Sequence, residues 1–473
     1  MNKRTRNLLI LAGALLCICG VIVVENTVTR HVDAISTIDE IVLQTDLDAL
    51  TEVSWTKDDA SLTFLQTEEG WKNSEDEAFP VNQMTLAGLL DHLKEVHACF
   101  VIEDVEDFGQ YGLDEPQGTI TLKTADSETT VSLGAYSTMD SNRYISIGDG
   151  KVYLIEDDLL DALSTERDDF MQHSEIPSIS SVEQLTVSGN TTLNAVHDED
   201  GVYTYTDAYH YYDVQNGVYE PLKDALVSSY TSNLLGLELR DYVTYNATAE
   251  DLETYALNEP AYTITLSGTD SDENAVFFTL DIGTVETPAE DEDSEPTTTA
   301  YARLNGSSII YLLSAEQYQA VSACSFDELR PPEVFSLDWD IVTKITGKVD
   351  GTEICIEKGF PEKEEEDSDE SSDEDAEPVF VLNGKEASVL SLKNAVNSLE
   401  ITKYTEEKHG SSLELSLTIV QDNEITPTLD LSVYTCDGSE CLVVLNGTTL
   451  GRISRSQMVD LREALICLDL NNA

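Results

Sequence analysis

Positive charge is scarce in this sequence, and recognisable catalytic signatures are absent from it. Only 26 lysines and arginines stand against 91 aspartates and glutamates in 473 residues, a net charge of −65. Such a chain repels nucleic acid and anionic membrane surfaces alike, so neither is expected as a partner surface. Eight cysteines are present, two of them (Cys17 and Cys19) inside an apolar run, and the other six form no C-x-x-C pair. A redox site therefore has no basis. Only Cys436 and Cys441 are close, flanking Asp437-Gly438-Ser439-Glu440, and both a disulfide across that tip and lone buried thiols stay open. Seven histidines make no ligand pattern. His92 and His97 fall on one predicted helix, where a spacing of five turns them to different, solvent-facing sides. No G-x-S-x-G, P-loop or H-E-x-x-H occurs. Asp270, Asp272, Asn274 and Asp281 match positions of a calcium loop, but Ala275 stands where that loop needs glycine and no glutamate closes it. No catalytic residue, metal ligand or cofactor is expected.

What the sequence has, first, is an apolar run. Lys3, Arg4 and Arg6 precede Leu8 to Val24, which at helical rise covers about 25 Å, enough to approach the thickness of a bilayer core. Val23-Val24-Glu25-Asn26 offers no small-x-small cleavage site, so an uncleaved anchor is preferred to a signal peptide. The basic N-terminus places residues 1–7 in the cytoplasm and the rest of the chain outside, a single-pass protein attached to the cytoplasmic membrane. Residues 25–50 are polar with scattered aliphatics and read as a stalk.

Second, the chain repeats itself. Tyr111-Gly112-Leu113-Asp114-Glu115-Pro116 returns as Tyr255-Ala256-Leu257-Asn258-Glu259-Pro260, and each copy runs into Thr-Ile-Thr-Leu (119–122 and 263–266). Pro116 and Pro260 send the chain out of the turn extended. Asp114 and Asn258 are expected to close Asx-turns, while Tyr111, Leu113, Tyr255 and Leu257 pin the turn to the core. Because the carboxylate of Asp114 becomes an amide at Asn258, the motif reads as structural. Because Gly112 becomes Ala256, a left-handed backbone is not expected there.

The repeat implies an α+β fold, a transmembrane helix followed by two to three modules, each an antiparallel sheet with one or two helices. The first module spans 51–177, with a helix buried through Leu86, Leu90, Leu93 and Val96. The second spans 178–340, its helix using Leu222, Leu226, Tyr230 and Leu234. The third, 341–473, lacks the hexapeptide but has a helix with Val389, Leu392, Val396 and Leu399 and alternating Leu413, Leu415, Leu417 and Ile419. Its run from Glu362 to Pro378, nearly all Glu, Asp and Ser, is expected to be a disordered loop, and Glu290–Asp293 an exposed insertion.

Tyr203, Tyr205, Tyr209, Tyr211, Tyr212 and Tyr219 make the most distinctive candidate surface. Tyrosines beside acids suit stacking on sugars or a partner protein; half-buried β-formers are the plainer alternative.

Phe79-Pro80, the hexapeptide at 111–116, Leu133-Gly134 and Val152-Tyr153-Leu154-Ile155, behind an N-terminal anchor, resemble the domain-of-unknown-function 4340 family. The second copy departs from it, with Glu220-Pro221 in place of Phe79-Pro80. Members of that family are bacterial and membrane-attached, and commonly accompany the permease, ATPase and auxiliary subunit of gliding-motility-type ABC transporters. The resemblance implies an extracytoplasmic accessory of an ABC exporter, with the permease or auxiliary subunit as partner. Binding or scaffolding without catalysis is thus the leading expectation. A cell-envelope glycan- or protein-binding module using the second-module tyrosines comes next, and an enzyme last.

Overall fold

A computed structural model describes residues 39–472, apart from 59, 139–140, 289–295, 361–377, 409, 411 and 436–437. The expected anchor (8–24), the cytoplasmic tail, most of the stalk, the acidic run, Glu290–Asp293 and Cys436 lie outside the described residues. Among the described residues no helix is long and apolar enough to cross a membrane. Contacts group the chain into two compact units. One holds the first module with Val243–Ala247, the other the second and third modules.

The described residues form three nine-stranded antiparallel sheets, which share one order of eight strands. In the first sheet the order is Gly70–Asn73, Ala60–Thr67, Leu50–Lys57, Gly118–Thr124, Glu128–Ser137, Asn142–Ser146, Val152–Ile155, Glu95–Ile102. In the second it is Tyr211–Gln215, Leu193–His197, Ser181–Gly189, Tyr262–Thr269, Ala275–Thr287, Thr297–Leu304, Ile310–Leu313, Tyr242–Thr244. The third repeats it with Val379–Leu382, Thr352–Gly359, Val342–Val349, Leu413–Gln421, Thr428–Thr435, Glu440–Leu445, Thr448–Ser454 and Lys403–Tyr404. The third module therefore keeps the whole fold without the hexapeptide.

The ninth strand differs. The second and third sheets add a hairpin partner, Val218–Leu222 and Lys385–Glu386, beyond the first strand of the shared order. The first sheet adds Glu40–Gln44 at its opposite edge, against Glu95–Ile102. The stalk reading is corrected there: Leu43 and Leu50 are buried, so the first module begins by Glu40 and not at 51.

Alternation explains the sheets. Val53 and Trp55 face Leu122 and Ile120 in register, and Ile120 faces Val131, all on one buried face. Trp55 stacks against Phe64 and Phe170, and its indole N–H donates to the Ser164 carbonyl at 2.8 Å.

Each sheet buries a helix shorter than its apolar spacing suggests, and the third also buries Met458, Leu461 and Leu465 of Arg455–Asn472. The Asn82 side chain accepts from the Met84 and Thr85 amides and starts Gln83–Asp91, which buries Leu86, Leu89 and Leu90. Val96 is buried from the next strand instead. In the second module Leu222 ends a strand and Leu226 is exposed. The helix Asp224–Leu235 buries Val227, Tyr230, Thr231 and Leu234, so Tyr230 and Leu234 hold their expected places and Val227 takes that of Leu226. In the third, Leu392 and Val396 are buried on Leu390–Asn397, and Leu399 just after it.

Both hexapeptides close a helical turn in the same way. After Phe108–Tyr111, the Leu113 amide reaches the Phe108 carbonyl and the Gly112 amide the Gly109 carbonyl, both at 3.1 Å. After Ala249–Thr254, Leu257 reaches Leu252 at 2.7 Å and Ala256 reaches Glu253 at 3.2 Å. This closure needs a left-handed residue at its end. Gly112 has φ +69° and Ala256 φ +55°, so the expectation for Ala256 is overturned. The turns are capped from upstream, by Asp107 and by a Thr248–Asp251 capping box, and Asp114 and Asn258 are exposed. Each tyrosine is half-buried and leans on an equivalent partner: Tyr111 on Tyr144 at 5.0 Å, Tyr255 on Tyr301 at 4.6 Å. Leu257 is buried; Leu113, Pro116 and Pro260 are half-buried.

Candidate functional site

The tyrosines of the second module do not form an exposed face. Tyr209 and Tyr212 are buried, and the Tyr212 hydroxyl donates to the Tyr209 carbonyl at 2.6 Å. Tyr203 and Tyr219 stack on each other at 3.8 Å with only 9° between planes, and Tyr212 meets both edge-on. One face of Tyr203 and one of Tyr219 are thus already in use. The Tyr203 hydroxyl donates to Asp198 at 2.6 Å, which pushes its pKa up to about 12 with help from burial. Tyr211 packs on His197 and donates to the Val182 carbonyl. Tyr205 works differently, reaching into the core of the third module. Its hydroxyl accepts from the Ser336 amide at 3.0 Å, and its carbonyl accepts from Gln421 at 3.0 Å.

Tyr205 and Tyr209 stand in the wall of a cleft of about 970 Å³ within the unit that holds the second and third modules. One rim is Glu220 and Pro221 on Val218–Leu222, the last strand of the second sheet. The other is Tyr404, Thr405 and Glu406, on and just after Lys403–Tyr404, which ends the third sheet. The connecting segment Phe326 to Val334 forms the floor.

Arg330 organises that floor. Its guanidinium carbon lies 3.2 Å from the centroid of the Tyr404 ring, and Nη2 is 2.9 Å from Asp327. The Tyr404 hydroxyl donates to the Pro331 carbonyl at 3.0 Å. Glu333 accepts from Lys223 on one oxygen at 2.5 Å. Its other oxygen, Oε2, is buried and has no hydrogen-bond partner, and Nε of Arg330 is in the same condition. Burial raises the pKa of Tyr205, of Tyr209 and, against the opposing charge of Arg330, of Tyr404. All three stay neutral hydroxyls at physiological pH. No local spacing betrayed this site, since its residues run from 205 to 450 and meet only through the fold.

A smaller cavity of about 380 Å³ lies in the first module. His92 ends the helix and His97 sits on Glu95–Ile102, so the expected shared helix is corrected, and both rings line one space. His92 pairs with Asp157 at 3.0 Å, His97 with Asp39 and, at 3.5 Å, with Glu95. Hydrogen bonding to Asp39 raises the His97 pKa above its ordinary value, against partial desolvation. Among the described residues no three His, Cys, Asp or Glu side chains converge to hold a metal ion. The residues that matched a calcium loop are occupied otherwise. Asp270 caps a hairpin tip by accepting from the Asp272 and Asn274 amides, and Asp281 pairs with Arg303 at 3.0 Å.

Fold and site together describe a repeated antiparallel α+β protein with a cleft where two modules meet. The family described as Domain of unknown function (DUF4340) matches residues 71–213 and again 213–416, and the chain belongs to that family. Each match begins inside the same strand of the shared order (Gly70–Asn73 or Tyr211–Gln215), so the matched unit is offset from the sheets. No curated protein and no solved structure matches the chain.

Two family motifs acquire a structural meaning. A Cβ on Gly134 would stand 2.3 Å from the Tyr111 carbonyl oxygen, and one on Gly283 2.1 Å from that of Tyr255. The glycine of Leu133-Gly134 is therefore what lets the hexapeptide lie against the sheet. The third module has lost both together: its strand Thr428–Thr435 contains no glycine. Phe79 of Phe79-Pro80 is buried, with Arg167 4.6 Å above its ring and Tyr245 edge-on at 5.5 Å.

Proposed function

We propose that this chain is a membrane-anchored, extracytoplasmic binding or scaffold protein that acts without catalysis and serves an ABC-type transporter. The observation that carries the reading is the cleft between the second and third modules, broad, aromatic-walled and built on two sheet edges. Such a surface suits holding a chain or a side chain of a partner. Asp76, Asp198, Asp251 and Asp270 are drawn downward by the hydrogen bonds they accept, and Cys324 is pushed upward to about 11 by burial. Groups tuned this way hold structure and do not exchange protons at pH 7.

The apolar run at 8–24 supplies the tether, with the N-terminus inside, and a tether raises the effective concentration of any partner in the same membrane. Weak contacts then suffice. The family resemblance supplies the candidate partner, a permease or its auxiliary subunit. Cross-linking in intact membranes tests this. Recovery of a transporter subunit with the chain supports it, and recovery of no membrane protein contradicts it.

A further inference from the structure

We propose that the cleft between the second and third modules binds an extended, basic segment of a partner polypeptide, laid along the strand edge at Tyr404 with a cationic side chain directed to Glu333. This rests on the binding reading above and gives its partner a chemistry.

The strand edge is the first argument. Lys403–Tyr404 ends the third sheet, and just before it the chain already accepts an added strand. The Ile401 amide donates to the Pro332 carbonyl at 2.7 Å, the Val334 amide to the Leu399 carbonyl at 2.9 Å, and Glu333 bridges Glu400 antiparallel. This edge takes extended backbone. That added segment stops at Pro331 and Pro332, which have no N–H to donate, and beyond the two-residue strand the cleft rim runs on through Thr405 and Glu406, which lie outside any strand. A second extended chain placed there would prolong the pairing in the manner of strand addition.

Charge is the second argument. Glu220, Asp327, Glu333 and Glu406 line the cleft, against Arg330, which Asp327 already holds, and Lys223, which pairs with Glu333, so the acids still outnumber the cations two to one. The cleft therefore prefers a basic occupant and rejects an acidic one. A third argument is the orphaned oxygen. Glu333, whose side chain is partly exposed, gives one oxygen to Lys223 and leaves Oε2 buried without a hydrogen-bond donor. A lysine or arginine head at that wall would supply the donor. The same structure shows how a cation seats on its tyrosines, because Arg330 already lies over Tyr404. At about 970 Å³ the space admits a short stretch of chain and not a folded partner.

The test uses the full chain in detergent and a fluorescein-labelled octapeptide alternating lysine and valine, followed by fluorescence anisotropy. Saturable one-to-one binding is expected. Glu333→Gln and Tyr404→Ala should each weaken it by about tenfold. Thr448→Arg, at an exposed rim position, should do the same without touching the packing of Glu333. Replacing the acidic run 362–378 by glycine and serine should leave the affinity unchanged. If the cleft variants bind as tightly as the parent, or if removing the acidic run abolishes binding, the attraction is diffuse charge and the proposal is overturned. Free lysine competing as well as the peptide overturns it too, since the site would then read an amine and not a chain. Membrane cross-linking that still recovers a partner with both Glu333→Gln and Thr448→Arg would remove this assignment and leave the binding reading standing.

Discussion

The carbonyl oxygen of Tyr255 lies against the bare Cα of Gly283, so close that a Cβ there would stand 2.1 Å from it. The first module has the same contact between Tyr111 and Gly134. Backbone is the obstacle in both, and backbone cannot swing aside as a side chain can. Gly283→Ala and Gly134→Ala should each destabilise their module by about 3 kcal/mol, read as a lower urea midpoint. An unchanged midpoint would show that the turn does not depend on this approach.

Ala256 gives the opposite sign. It holds φ +55°, where Gly112 holds φ +69°. A left-handed alanine costs about 1–2 kcal/mol, and glycine returns part of the relief as unfolded-state entropy. Ala256→Gly should therefore stabilise the second module by about 0.5 kcal/mol. Gly112→Ala should destabilise the first, because its Cβ would also meet the Ala135 amide at 2.9 Å. Thermal melting of the two variants checks the pair, which should shift in opposite directions.

Tyr111 is half-buried and shares its ring contact with Tyr144. Truncation to alanine loses part of a ring's burial and one aromatic pair, about 2 kcal/mol together. A melting curve unmoved by Tyr111→Ala would remove the anchoring role of the hexapeptide tyrosine.

His97 ties Asp39, beside the edge strand Glu40–Gln44, to the strand Glu95–Ile102. Its pKa is raised in the fold, chiefly by the hydrogen bond to Asp39. The stabilisation is therefore fully present below the unfolded histidine value of about 6.5 and is lost as pH rises through the folded value. His97→Gln should lower the melting temperature more at about pH 5.5 than at about pH 8.5. An equal loss at both would show that the charged form is not what binds the edge.

Much of this fold was legible in the chain. The repeated hexapeptide announced two equivalent modules, and alternation revealed the third, because a strand on a core declares itself every second residue: Leu415, Leu417 and Ile419 are buried, while Leu413 at the strand's start is exposed. Boundaries were less visible. Glu40–Gln44 hides among polar neighbours, since an edge strand needs few buried side chains. The helix ends were overrun because apolar residues in the flanking strands, Val96 and Leu222, extend the stripe beyond the helix itself. Ala256 misled because sequence shows the residue and not the hydrogen-bond closure that forces its backbone. For the tyrosine cluster the half-buried reading was the plainer of two, and the sequence could not show its packing because stacking of Tyr203 on Tyr219 is a tertiary event. The cleft was invisible for the same reason: Tyr205, Arg330 and Tyr404 meet only when two modules pack.

The claim that the chain works by holding a partner in its own membrane is met most directly by photo-cross-linking in cells, comparing the full chain with one lacking residues 1–24 and exported by a cleaved signal. A photoreactive residue at 448, on the cleft rim, should capture one membrane partner in the full chain. Capture should fall by about a hundredfold or more without the tether, as loss of effective concentration demands. Equal capture without the tether, or no membrane partner alongside turnover of a glycan or peptide by the purified chain, would contradict the account.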